Sequence, residues 1–238
     1  GTVWGGEILW GDATGVKRLG HFLPFTLPGG ERAVREPWRS ALSLALETNG
    51  VAEADGLLSG KDCPLQLTRE SFLAAIEAGI RTSSCGRLFD GAAALLGYGD
   101  SVSFDGQAPM LLESSARGSG ILPFKVIENE GLILLDWRPA IAGILERRTR
   151  QSASSLAAAF HGGLAIALAD AAELASGKTG TRRVVLSGGV WQNRRLFSLV
   201  IAHLRRRNLD PVVHALLSPN DECVSVGQAV VGQERWGK

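Results

Sequence analysis

Apolar residues recur along this chain with two periods, and the alternation between them marks an α/β protein. Residues 1–10 have strand character, and 16–22 alternate as a hairpin partner across the turn Gly11-Asp12-Ala13-Thr14-Gly15. Residues 25–37, punctuated by Pro-Gly-Gly and Arg-Glu-Pro, read as a loop. Helical spacing then takes over. Trp38, Ala41, Leu42, Ala45 and Leu46 form one apolar face of a helix over 38–48, and Thr68 precedes Glu70 and Ser71 at the start of another that faces inward with Phe72, Leu73 and Ile76. A third begins near Cys85-Gly86 and buries Leu88, Phe89, Ala92, Leu95 and Leu96. A fourth, over 105–117, repeats on Ala108, Leu111, Leu112 and Ser115, with Pro109 in its first turn and Gly118 as its stop.

Strands over 122–127 and 132–135 flank the hairpin turn Glu128-Asn129-Glu130-Gly131, and a short helix over 137–147 ends on basic residues that suit its negative end. The longest helical pattern, 152–176, has a broad face of small residues that includes Ala159, Gly163 and Ala167, as close packing on a sheet requires. His161 lies within it and is read as a core group. Residues 196–207 form an amphipathic helix whose Arg205-Arg206-Arg207 end fits its C-terminus. A short strand over 211–214 and a helix through Val226, Ala229 and Val230 follow.

The stretch RVVLSGGVWQNRRL, 183–196, is where chemistry is most legible. Val184, Val185 and Leu186 read as a strand covered on both faces. Gly188 and Gly189 allow a turn where a Cβ would clash, leaving N–H groups to face a ligand, and a helix opening there adds donors suited to a phosphate. A tight strand-to-helix turn with no ligand accounts for the same residues. Asp221, in Ser218-Pro219-Asn220-Asp221, stands before a helix and suits capping as well as ligation. Arg87 and Asp90 lie three apart, which allows an ordinary surface ion pair.

Composition narrows the class. The chain has 238 residues, 45% of them apolar, enough for a substantial core. A net charge of +1 supplies no field that would draw nucleic acid or a membrane. Cys63, Cys85 and Cys223 lack ligand-pair spacing, which speaks against a disulfide framework or structural zinc. No apolar run is read as approaching the ~18–20 residues that cross a bilayer, and no signal-peptide pattern opens the chain. These features together point to a cytoplasmic protein.

Four stretches carry a resemblance: GTVWGGEILWGD at the start, TSSCGRLFDGAAALLG from Thr82, SGGVWQNRRLF from Ser187 and SPNDECVSVGQAVVG from Ser218. In this order, and spanning nearly the whole chain, they resemble the carbamoyltransferase HypF family of hydrogenase maturation, in its domain similar to the tRNA threonylcarbamoyltransferase Kae1/TsaD. REPWR at 35–39 and DGQAPMLLE at 105–113 resemble further HypF segments. The resemblance implies one Kae1-like domain over 1–238 with a two-lobed, actin-like ATPase (ASKHA, ribonuclease H-like) fold, lobes of about 1–80 and 81–238, and ATP or AMP held between them. It implies that Gly188, Gly189, Val190 and Asn193 meet phosphate, that Gly86 and Asp90 meet the sugar side, and that Asp221 ligates a divalent metal beside a histidine pair. No catalytic residue is assigned.

The implied reaction moves a carbamoyl group from carbamoyl adenylate to the C-terminal cysteine thiol of the partner HypE. The YrdC-like domain that makes the adenylate has no trace here, and the acidic residue and HHxAH motif expected upstream are missing, so the chain reads as trimmed, its first lobe lacking opening strands. Ser83, Ser84 and Arg87 replace acidic residues of the tRNA enzymes and favour HypF. Glu222 and Cys223 replace two glycines and add bulk and charge beside the phosphate turn. Two rival readings stand: a threonylcarbamoyltransferase acting on tRNA, and a non-catalytic nucleotide-binding or scaffold module.

Overall fold

The structure, a computed structural model, describes residues 2–58, 69–99 and 101–237, so Cys63 and Thr68 lie outside the described residues. Strands β1 Thr2–Val3, β2 Glu7–Asp12, β3 Gly15–Phe22 and β4 Phe25–Leu27 precede helices α1 Arg32–Arg35, α2 Pro37–Asn49, α3 Val51–Leu58 and α4 Arg69–Glu77. Next come β5 Ile80–Thr82, α5 Cys85–Leu95, α6 Gln107–Ser115, β6 Lys125–Asn129, β7 Leu132–Asp136, α7 Arg138–Arg147 and α8 Ala153–Thr179. Then follow β8 Arg183–Leu186, a 3-10 turn Gly189–Gln192, α9 Arg194–Arg206, β9 Asp210–Val213, a second 3-10 turn Asp221–Cys223 and α10 Val224–Trp236.

Two compact units interleave along this mixed α/β chain. Gly1–Gly6, Phe22–Lys125 and Asp136–Leu164 make the first, and Glu7–His21, Val126–Leu135 and Ala165–Lys238 the second. The two hairpins join one sheet of order β2-β3-β7-β6, so the second unit draws chain from both sides of residue 80.

In the first unit β5 pairs in parallel with β1 and antiparallel with β4. Strand β4 lies inside the stretch expected to be a loop: Phe25-Thr26-Leu27 is too short to show a period, yet Phe25 is fully buried against β5. Helix α2 also departs from its expected single apolar face, being buried at every position from Pro37 to Ala45. Helix α5 packs on it where Gly91 removes the obstacle, since a Cβ there would come within 2.4 Å of Leu44 Cδ1. The REPWR segment is structural: Arg39 pairs with Glu36 at the α2 start and lies 4.5 Å over the Trp38 ring. Phe72 joins Trp38, Leu42 and Ala54 in a buried cluster flanked by Leu73 and Ile76, the inward face expected for α4.

Helix α8 corrects the membrane reading, because its 27 residues are long and apolar enough to span a bilayer by length and composition. Of its most apolar stretch, 67% is buried inside the protein, as in the core helix of a globular fold. In the second unit β8 and β9 form a two-stranded parallel sheet, in register from Arg183–Asp210 to Leu186–Val213. Helix α9 buries Leu196, Val200 and Leu204, the stripe that its periodicity demands. Of the basic triplet, Arg207 is spent on α8, paired with Asp170 and with Glu173 at 3.4 Å.

Candidate functional site

The second unit carries the Gly188-Gly189 turn at the C-terminal ends of parallel strands, where open α/β sheets place their ligands. Gly188 has φ +104°, which L side chains rarely adopt, so glycine is required there. Its N–H is not free for a ligand as expected: it donates to the Pro219 carbonyl at 2.6 Å. That bond has a second effect, since it ties the Ser218–Asp221 loop to the turn. Gly189 and Val190 open the 3-10 turn, where N–H groups lack intrahelical acceptors, and the space beside Gly189 is open, with no atom within 4 Å of a Cβ built there.

Asn193 has an assigned task. It is buried and caps α9, its Oδ1 accepting the Leu196 N–H at 2.8 Å. Asn193→Ala is expected to lower stability by about 1 kcal/mol, read as a shift in the urea midpoint with unchanged slope.

A pocket of about 290 Å³ adjoins the turn, lined by Leu186, Trp191, Gln192, Arg194, Phe197, Val213, His214 and Pro219. Leu186, Val213 and Phe197 give it an apolar lining, and Arg194 brings a cation. His214 was not singled out from sequence. The β8–β9 register explains its place: Leu186 pairs with Val213, so the next residues, Ser187 and His214, meet, His214 Nε2 lying 3.1 Å from Ser187 Oγ. A histidine ending one parallel strand opposite the serine of a Gly-Gly turn is the signal that was available.

Gly86 and Asp90 lie one turn apart on α5 in the first unit. The α5 start is largely satisfied: Cys85 N–H donates to Gly5 O at 3.1 Å, and Ser84 Oγ accepts the Arg87 N–H at 3.3 Å. Asp90 is 2% exposed, and the surface ion pair expected of it is a buried one. Arg87 lies 2.7 Å from Asp90 and 2.5 Å from Asp105. Burial pushes the Asp90 carboxyl up to about 7, against the pull of Arg87 and with the Asp105 charge adding to the rise. Burial likewise pushes the Cys85 thiol up to about 12, which leaves it inert as a nucleophile. His161 is fully buried, hydrogen-bonded to Ala157 O at 2.7 Å and packed edge-on to Phe89, the core role expected of it.

Asp221 is exposed in the second 3-10 turn, which Asn220 caps by accepting the Glu222 N–H. Among the described residues no three His, Cys, Asp or Glu side chains converge to hold a metal ion. Asp221 thus offers one carboxylate where a divalent cation needs several donors, and these residues by themselves do not fit a metal site.

Comparison with known proteins places this geometry in a family. Residues 1–228 match the family described as carbamoyltransferase, Kae1-like domain, second subdomain. Carbamoyltransferase HypF of Rhizobium leguminosarum bv. viciae is 36% identical over 234 residues, covering 98% of this chain and 30% of that protein. A carbamoyltransferase HypF homolog of Cupriavidus necator is 34% identical over 248 residues, covering 97% of this chain and 61% of that protein. The crystal structure of full-length HypF in the phosphate- and nucleotide-bound form superposes with a TM-score of 0.87 at 28% identity, over 100% of this chain and 32% of that one. T. kodakarensis HypF gives a TM-score of 0.83, also at 28% identity, over 97% of this chain and 32% of that one. The chain therefore belongs to the Kae1-like domain family of the HypF carbamoyltransferases, matching its second subdomain and spanning less than two thirds of those relatives' length.

Proposed function

We propose that the Gly188–Asn193 turn and its pocket bind the nucleotide of carbamoyl adenylate, and that the parent activity is carbamoyl transfer to the C-terminal cysteine of HypE. The observation that carries this reading is the pair of opening N–H groups at Gly189 and Val190, beside a pocket that Arg194 and His214 line. Amide dipoles and the Arg194 cation so placed suit an anion. The phosphate- and nucleotide-bound HypF relative supports the assignment.

In the proposed reaction the acceptor thiol loses its proton to solvent and its sulfur attacks the carbamoyl carbon. The bond from that carbon to the phosphate oxygen breaks, AMP leaves with the electron pair, and a thiocarbamate remains on the acceptor. Negative charge gathers on the carbonyl oxygen and on departing AMP, where fixed N–H dipoles act. No step is assigned to a metal.

Isothermal titration of AMP and ATP tests the binding half. Binding is expected, and Gly189→Val, which fills open space beside the amides, is expected to weaken it at least tenfold without altering the far-ultraviolet circular dichroism. Absent heats would leave a scaffold that binds no nucleotide, and wild-type affinity in the variant would move the site elsewhere. Mass analysis of a HypE C-terminal peptide incubated with carbamoyl adenylate tests the transfer.

A further inference from the structure

One side-chain contact in the second unit is left unused by carbamoyl transfer. Ser187 and His214 each follow the last residue of a parallel strand, Ser187 exposed and His214 half-buried, with His214 Nε2 3.1 Å from Ser187 Oγ. That is the reach of a nucleophile from its base. The fold gains little from this contact, because the Gly188 N–H on the Pro219 carbonyl at 2.6 Å already ties the same two segments, and an exposed side-chain bond adds little net stability. Ser187 also directly precedes the turn whose open N–H groups, at Gly189 and Val190, can hold a developing oxyanion. The apolar pocket that His214 lines gives an acyl group a place out of water, and Arg194 beside it suits an anionic leaving group.

We propose that Ser187 is a nucleophile and His214 its base, giving this unit a hydrolytic activity toward acyl groups carried on a good oxygen leaving group, such as a phosphate or a phenolate. Ser187 Oγ attacks the acyl carbon while its proton passes to His214 Nε2. The bond from that carbon to the leaving oxygen breaks, the leaving group departs with the electron pair, and an acyl serine remains. The half-buried imidazole hands its proton to solvent. Water then attacks the acyl serine and gives a proton to His214, and the acid departs as the Ser187 oxygen takes that proton back. No nucleotide and no protein acceptor enters this chemistry, so it stands apart from carbamoyl transfer.

The test treats the whole chain with diethyl para-nitrophenyl phosphate, which esterifies nucleophilic serines, and reads tryptic peptides by mass. In peptide 184–194 Ser187 is the one hydroxyl side chain, and in peptide 196–205 exposed Ser198, whose Oγ donates to Arg194 O at 2.8 Å, reports an ordinary serine. Labelling of Ser187 is expected to outpace that of Ser198 at least about tenfold and to fall by a similar factor in His214→Gln, which keeps a hydrogen-bonding group but no base. Ser187→Ala is expected to abolish it. Hydrolysis of para-nitrophenyl acetate, followed by nitrophenolate release, is expected to fall in parallel. Buried Cys85, protected from maleimide, reports that each variant is folded. Labelling of Ser187 no faster than Ser198 in the folded parent would overturn the proposal. So would a folded His214→Gln chain that labels as fast as the parent, and neither result bears on AMP binding.

Discussion

Gly163→Ala is expected to destabilise the first unit by at least about 3 kcal/mol, a fall of roughly 6–12 °C in melting midpoint for a chain of this size. A Cβ built on Gly163 would lie 1.8 Å from the Leu122 carbonyl oxygen and 2.9 Å from its carbon, and both are backbone atoms. They are held in place, because the Leu122 N–H donates to Ala159 O at 2.9 Å and a Cβ on neighbouring Gly162 would meet Gly120 O at 2.3 Å. In an open helix interior the same change stabilises by up to about 1 kcal/mol, so the sign of the effect is itself diagnostic. Gly177→Ala on the same helix, with nothing within 4 Å of its Cβ, provides that contrast. Calorimetry of both variants checks the pair, and a Gly163→Ala protein as stable as the parent would mean that α8 does not lie on the 120–122 backbone.

That contact shows where sequence reading stops. The small-residue face of α8 was legible from its period, and so was the need for a close neighbour, but the expected neighbour was a sheet and the observed one is an extended segment at Gly120–Leu122. Periodicity says which side of a helix is buried and is silent on what it meets. Both hairpins were legible because their turns carry local chemistry, yet the β3–β7 pairing that unites them depends on residues more than a hundred apart. The same division runs through the candidate site. The strand, glycine turn and helix of 183–196 followed from residue types, while the Pro219 carbonyl on the Gly188 amide and the Ser187–His214 pair come from distant chain and parallel register. Asn193, expected to meet phosphate through its side chain, also obeys the local rule for a helix cap through its Oδ1.

Arg87→Met is expected to destabilise the protein by about 3–5 kcal/mol at pH 8 and clearly less at pH 5. Arg87 is the cation against Asp90, at 2.7 Å with side-chain exposures of 12% and 2%, and its removal leaves an ionised carboxylate buried without a counter-charge. At pH 5 the carboxyl takes up a proton and most of that penalty disappears. The parent should also respond to pH. Because burial raises the folded Asp90 value to about 7, the folded chain holds more protons than the unfolded chain between about pH 4 and 7. Stability from this group is thus fully present below the ordinary aspartate value, declines as pH rises through that window by up to about 4 kcal/mol, and is flat above it. Asp90→Asn cannot ionise and is expected to remove this slope. Urea unfolding at intervals between pH 4 and 8 measures all three proteins. An Asp90→Asn curve parallel to the parent's would mean that Asp90 is ionised and solvated, and the α5 start would then be an open acidic site.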